Sequence, residues 1–192
     1  MEYRGWEGYC FIGVLQYSTK IYFCSYNEEY WRYSCIVSTS LSRLGRVLGS
    51  TLPNLEKLVL TFWKSLSDQG LIEILNRSSS NIRELDLSGS NITGVGVGVN
   101  SLPNLEVLKL IQCDNLTDRG LEEILRISSF TLRVLAVSWT NITEQGFQEG
   151  VSLLMLEELN LGVCRHLTYS GLLEILSISG NRLKTGKEYG IP

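Results

Sequence analysis

The sequence predicts an α/β solenoid: a right-handed coil with a parallel sheet on its inside and alternating long, helical and short outer segments. Three observations carry that expectation. The spacing leucine-x-x-leucine-x-leucine occurs five times, at Leu55/Leu58/Leu60, Ile82/Leu85/Leu87, Leu105/Leu108/Leu110, Leu132/Leu135/Val137 and Leu156/Leu159/Leu161. Its first positions step by 27, 23, 27 and 24 residues, so long and short units alternate. Whole phrases return with the pair: LPNLEKLVL at 52–60 as LPNLEVLKL at 102–110, and NIRELDLSGSNIT at 81–93 as TLRVLAVSWTNIT at 131–143.

Each element follows from local chemistry. Leucine-x-leucine puts two leucines on one face of a short strand. LSDQGLIEIL at 66–75, LTDRGLEEIL at 116–125 and LTYSGLLEIL at 167–176 then read as outer helices. Ser67 or Thr117 can cap such a helix, with Asp68 or Asp118 near its positive end. Leu121, Ile124 and Leu125 fall on one helical face. The short units are different. GVGVGV at 94–99 alternates glycine and should not hold a helix, and GFQEGV at 146–151 is little better, so both predict a tight turn or 3₁₀ segment. One unit cannot close a core by itself, but stacked units cover one another's leucines.

The long units resemble leucine-rich repeats of the cysteine-containing subtype found in F-box and related proteins. Residues 105–125, LEVLKLIQCDNLTDRGLEEIL, carry the pattern, with Cys113 three residues after Leu110. Cys164 stands at the same place in LEELNLGVCRHLTYSGLLEIL, whereas Trp63 replaces the cysteine in the first unit. The resemblance covers residues 41–183 and implies a non-enzymatic recognition module, as in the substrate-recognition repeats of SCF-type ubiquitin ligases. No F-box is legible ahead of the repeats. The alternative is a ligand-sensing repeat fragment of an innate-immune type receptor.

The ends divide the chain further. Residues 1–40 hold eleven of the eighteen aromatics within the first 33 positions and show no leucine spacing. They are expected to cap the first unit, or to be a non-repeat segment or an aromatic binding surface. LSRLGRVLGS at 41–50 reads as the outer helix of a degenerate earlier unit. Leu183 lies 27 residues after Leu156, where another unit should begin, but the 184–192 tail offers no further leucines. An uncapped last unit predicts self-association or fraying there.

Composition narrows the function. Lys plus Arg is 17 against 20 Asp plus Glu, a net charge of -3, which disfavours general nucleic-acid binding. No run of eighteen apolar residues occurs, so no membrane helix is expected. The start of the chain lacks a basic-then-apolar signal pattern. A cytoplasmic location is expected, with the nucleus or secretion as alternatives. Five cysteines cannot all pair within one chain, and their spacing fits no zinc site. Cys113 and Cys164 are expected as buried thiols; Cys10, Cys24 and Cys35 are left open between thiols and one disulfide.

No enzyme and no cofactor is expected. Cys164 and His166 could suggest a nucleophile and base, but the repeat buries that cysteine and splays the two side chains. The glycines of 94–99 lack the Lys-Ser or Lys-Thr of a phosphate loop. The sequons at Asn76, Asn91, Asn115 and Asn141 mostly fall at turns where Asn and Thr already serve the backbone. What remains is the concave face. The partner-binding candidates are Glu84, Asp86, Val107, Lys109, Ile111, Val134 and Ala136, with Trp139 at the rim as an anchor or as packing on the next loop.

Overall fold

The computed structural model describes residues 20–24, 55–77, 81–97, 102–148 and 150–184. Its strands are β1 (Lys20–Cys24), β2 (Lys57–Thr61), β3 (Glu84–Asp86), β4 (Val107–Lys109), β5 (Val134–Ala136) and β6 (Glu158–Asn160). Among the described residues the helices are α1 (Asp68–Arg77), α2 (Asp118–Ser128) and α3 (Tyr169–Ile178), with a 3₁₀ turn at Glu144–Phe147. The strands form one parallel sheet in sequence order. Leu58, Leu85, Leu108, Leu135 and Leu159 are successive partners in it. The first and last leucine columns are equally buried, so every unit closes its neighbour's core. The helices and the two thin turns alternate outside, as the alternating steps predict.

The sheet has one strand more than the five leucine spacings. β1 lies within the aromatic segment and pairs with β2 so that Ile21 partners Leu58 and Phe23 partners Leu60. Isoleucine-x-phenylalanine thus stands in the leucine-x-leucine register. The remaining expectations for 1–40, for a helix at 41–50 and for 185–192 lie outside the described residues.

Each strand ends in the same way. Phe62, Gln112, Trp139 and Val163 have φ of 57, 57, 60 and 60°, and Gly89 has 73°. All five stand two residues after the last leucine-column residue of their unit. A left-handed backbone costs a non-glycine residue roughly 1–2 kcal/mol. It persists here because the kinked residue's N–H donates to the next unit: Phe62 to the Ser88 carbonyl at 2.7 Å, Gly89 to Ile111 at 2.7 Å, Gln112 to Ser138 at 3.0 Å and Trp139 to Gly162 at 2.9 Å. Continuing the ladder through the kink fixes the conformation.

The caps are as expected. Gly70, Gly120 and Gly171 N–H groups donate to the hydroxyls of Ser67, Thr117 and Thr168 at 3.2, 3.1 and 2.9 Å. Asp68 and Asp118 do more than face the helix dipole. The Asp68 carboxylate accepts from the Thr93 N–H at 3.0 Å, the Thr93 hydroxyl at 2.6 Å and the Gly94 N–H at 2.9 Å. Asp118 accepts from the Thr143 N–H at 2.7 Å and its hydroxyl at 2.8 Å. Each long unit is thereby braced against the following short one by charge-assisted bonds. In α3 that position is Tyr169, 70% exposed.

Candidate protein-interaction surface

Strand alternation sets Glu84, Asp86, Val107, Lys109, Val134 and Ala136 between the leucine columns. Val107 and Val134 are register partners on β4 and β5, as are Lys109 and Ala136. Val107, Lys109, Ile111, Val134, Glu84 and Asp86 are half-buried. Ala136 is only 7% exposed, so it contributes contour more than side chain. Trp139 is 50% exposed, projected from the left-handed kink above the β5 end of the face.

The charges on this face are already organised. The Glu84 carboxylate lies 2.7 Å from the Lys57 ammonium and 3.8 Å from that of Lys109, bridging three strands. The Asp86 carboxylate accepts from the Ser88 N–H at 3.0 Å, and the Asn160 amide oxygen accepts from the Gly162 N–H at 3.1 Å. The result is an apolar patch at β4 and β5 with a Lys–Glu–Lys cluster to one side.

A second ladder was readable in register but escaped the sequence reading. The residue after the first leucine of each unit alternates in sign: Glu56, Arg83, Glu106, Arg133, Glu157, Lys184. Each N–H from Arg83 onward donates to the carbonyl of its predecessor, at 2.7–2.9 Å. Arg83 pairs with Glu106, Arg133 with Glu157 at 3.4 Å, and Lys184 with Glu157 at 2.8 Å. The Lys184 hydrogen bond holds the Glu157 carboxyl below its usual range and raises the ammonium above its own. Lys184 therefore takes the place of each earlier ladder residue, and Leu183 packs on the core. Leu153 and Ser179 form a further parallel bridge.

The thiols face inward. Cys113 Sγ donates to the Leu87 carbonyl at 3.3 Å and lies 3.7 Å from the Ser90 hydroxyl. Cys164 repeats this with the Val137 carbonyl at 3.3 Å and Thr140 at 3.7 Å. Both are buried and free. Burial pushes the Cys113 thiol up from 9.0 to about 11 and raises Cys164 as well. A nucleophile needs the opposite shift. His166 is exposed, away from the buried Cys164 thiol. Trp63, at the corresponding position of the first unit, is buried, with its indole N–H donated to Ser65 at 2.8 Å. Among the described residues no group of three His, Cys, Asp or Glu side chains could hold a metal ion.

Both thiols should react far more slowly with iodoacetamide in the native protein than in denaturant. Rapid native labelling of either would contradict their burial. The raised Cys113 value adds a pH dependence. Its contribution is fully present below about pH 9 and is lost as pH rises toward about 11, because the unfolded chain ionises first. Urea titrations at pH 8 and 11 should show this loss, smaller in Cys113→Ser.

The sequon asparagines at 91, 115 and 141 bond between units. The Asn115 amide donates to the Asn91 side chain at 2.8 Å, and the Asn141 amide to the Asp114 carbonyl at 2.8 Å.

No curated protein matches the chain. The family described as Leucine Rich repeat matches residues 78–98, the first short unit. Solved structures that match include a chain from the crystal structure of a Rad7 and Elc1 complex in yeast, at 15% identity and a TM-score of 0.47. That likeness covers 80% of this chain and 50% of the other, so this chain spans about half the length of its match. A family match to one unit, in a sheet whose neighbouring units repeat its leucine register, gives residues 55–184 the fold of a leucine-rich-repeat solenoid.

Proposed function

We propose that the concave face is the docking surface for a protein partner and that the protein works as a non-enzymatic recognition module. The observation that carries this is Trp139. An indole held half-exposed on a strained, ladder-fixed kink is preorganised, so little side-chain freedom is lost on binding. It stands three residues beyond the end of β5, at one end of the face that holds the half-buried Val107, Val134 and Ile111, with Lys57, Glu84 and Lys109 to one side. An apolar middle with a polar border is how protein interfaces are built, and tryptophan is enriched at their hot spots. The sequence likeness of the long units to the substrate-recognition repeats of SCF-type ubiquitin ligases supports a finer reading, in which the captured partner is a substrate.

The test is affinity capture with the full chain, followed by titration of the recovered partner. Trp139→Ala and Val134→Glu should each weaken binding at least tenfold, about 1.4 kcal/mol, while the melting temperature of Trp139→Ala stays close to that of the parent. Exchanging Glu122 on the convex side for Gln should change nothing. A partner bound equally by the parent and both concave variants would show that the face is not the docking surface.

A further inference from the structure

We infer that the convex side carries a second site: the cleft between the 3₁₀ turn and α3 holds a lysine or arginine side chain presented by a peptide segment of a partner. The cleft exists because a thin unit lies beside a thick one. It has a volume of about 410 Å³ and is walled by Phe147, Val151, Ile175 and Ile178, with Glu144 and Glu174 among its lining residues. Phe147, Val151 and Ile175 are buried, so the floor is apolar, whereas Glu174 is exposed. An alkyl stem can lie on such a floor while its charged head meets a carboxylate.

Comparison within the coil shows why this cleft is available. Glu123 holds the position in α2 that Glu174 holds in α3. Glu123 reaches back to the preceding thin unit and accepts from the Gly96 N–H at 2.7 Å. That bond is the main reason its carboxyl lies below the usual range. At the second thin unit the corresponding N–H, of Gly146, donates instead to the Thr143 carbonyl at 3.3 Å, within the 3₁₀ turn. Glu174 is therefore released from the clasp, and among the described residues no donor is bonded to its carboxylate. Glu144 accepts from the Thr168 hydroxyl at 3.3 Å and places a second carboxylate beside the cleft. The nearby Arg126 lies over Gly150 but is paired with Glu122 at 3.5 Å, which offsets its charge. The apolar floor and the unclasped carboxylate together fit a long cationic side chain.

The experiment uses the full chain, labelled for amide NMR, and the pentapeptide acetyl-Gly-Leu-Arg-Leu-Gly-amide. Its citrulline counterpart has the same shape without the charge. Shifts should centre on Gly150, Val151, Ile175 and Ile178, and the arginine peptide should bind at least fivefold tighter than the citrulline one. Glu174→Gln should weaken the arginine peptide at least fivefold. Glu158→Gln on the concave side and Trp139→Ala should leave it unchanged, which separates this site from the concave one. Thermal unfolding of Glu174→Gln should match the parent, since the carboxylate is exposed. Equal binding of both peptides, shifts elsewhere, or no effect of Glu174→Gln would each overturn the proposal. So would methylguanidinium binding as tightly as the peptide, or a concentration-dependent dimer that covers the cleft.

Discussion

Gly120→Ala should cost on the order of 3 kcal/mol, although alanine is favoured over glycine by about 1 kcal/mol in a helix interior. A Cβ at this position would collide with the Thr93 carbonyl oxygen and stand 2.7 and 2.8 Å from the Gly94 carbonyl carbon and Cα. All three atoms are backbone, and they cannot step aside. The Thr93 and Gly94 N–H groups are both fixed by Asp68, and the Thr117 N–H and hydroxyl both donate to the same Thr93 carbonyl at 3.1 Å. Relief would require breaking the brace between two units. Gly171→Ala is the control. There the Glu144 Oε2 and Cδ, at 2.6 and 2.8 Å, can swing aside, whereas its Cβ at 2.7 Å moves only with the backbone of the 3₁₀ turn. The loss should be smaller, roughly 1–2 kcal/mol, since one short 3₁₀ turn has to shift and no Asp-anchored brace is broken. Urea denaturation of the two variants should show that order. Equal stabilities would mean that α2 does not approach the preceding thin unit this closely.

The glycines at 120 and 171 were visible in the sequence as part of a recurring phrase, yet their reason was not. It lies 26 or 27 residues away, in the turn of the neighbouring unit, and appears only once the coil is closed. The same holds for Asp68 and Asp118. Read locally, each is an acid at a helix N-terminus; in the structure each ties the next unit's threonine. The leucine columns were legible because burial imposes their period directly on the sequence. β1 was not, because Ile21 and Phe23 carry the register without leucine, and 37 residues separate Ile21 from its partner Leu58, beyond the 23–27 of the other steps.

The kinks were hidden for a different reason. Phe, Gln, Trp and Val have no preference for a left-handed backbone, and only Gly89 advertises it. At Phe62, Gln112 and Trp139 inter-unit hydrogen bonds impose the conformation, so local propensity is overridden. At Gly89 the glycine has an added role, because the Phe62 ring lies over it where a Cβ would stand. Alternation sets Glu84, Asp86, Val107, Lys109, Val134 and Ala136 between the leucine columns of their strands. It could not show that Glu84 is shared between two lysines, since that depends on side-chain reach across strands. The shorter outer segments at 94–99 and 146–151 signalled alternating thickness. The cleft beside the second of them depends on whether a single glutamate clasps the turn, which no period records.

Leu110→Ala should cost on the order of 2–5 kcal/mol, and Lys109→Ala, one residue away, under about 0.5 kcal/mol. Leu110 is 0% exposed, and its N–H donates to the Ala136 carbonyl at 2.8 Å. It sits in the third leucine column between Leu87 and Val137 of the adjoining units, both also buried. Those units are held at the sheet spacing of about 4.8 Å by the ladder on either side, so the cavity left by alanine cannot collapse. Lys109 lies on the opposite face of the same strand. Its ammonium is 3.8 Å from Glu84, and removing it leaves the closer Lys57 contact at 2.7 Å in place. The two variants therefore differ in which face of β4 loses atoms, and chemical denaturation should separate them by at least about 1.5 kcal/mol. Because stability in a stacked coil is close to a sum of unit and interface terms, Leu110→Ala weakens two interfaces in the middle of the array. A broadened or two-step unfolding transition is expected for it, with a single sharp one for Lys109→Ala. Equal losses from both substitutions would show that Leu110 and Lys109 do not occupy opposite faces and that the register of β4 is displaced.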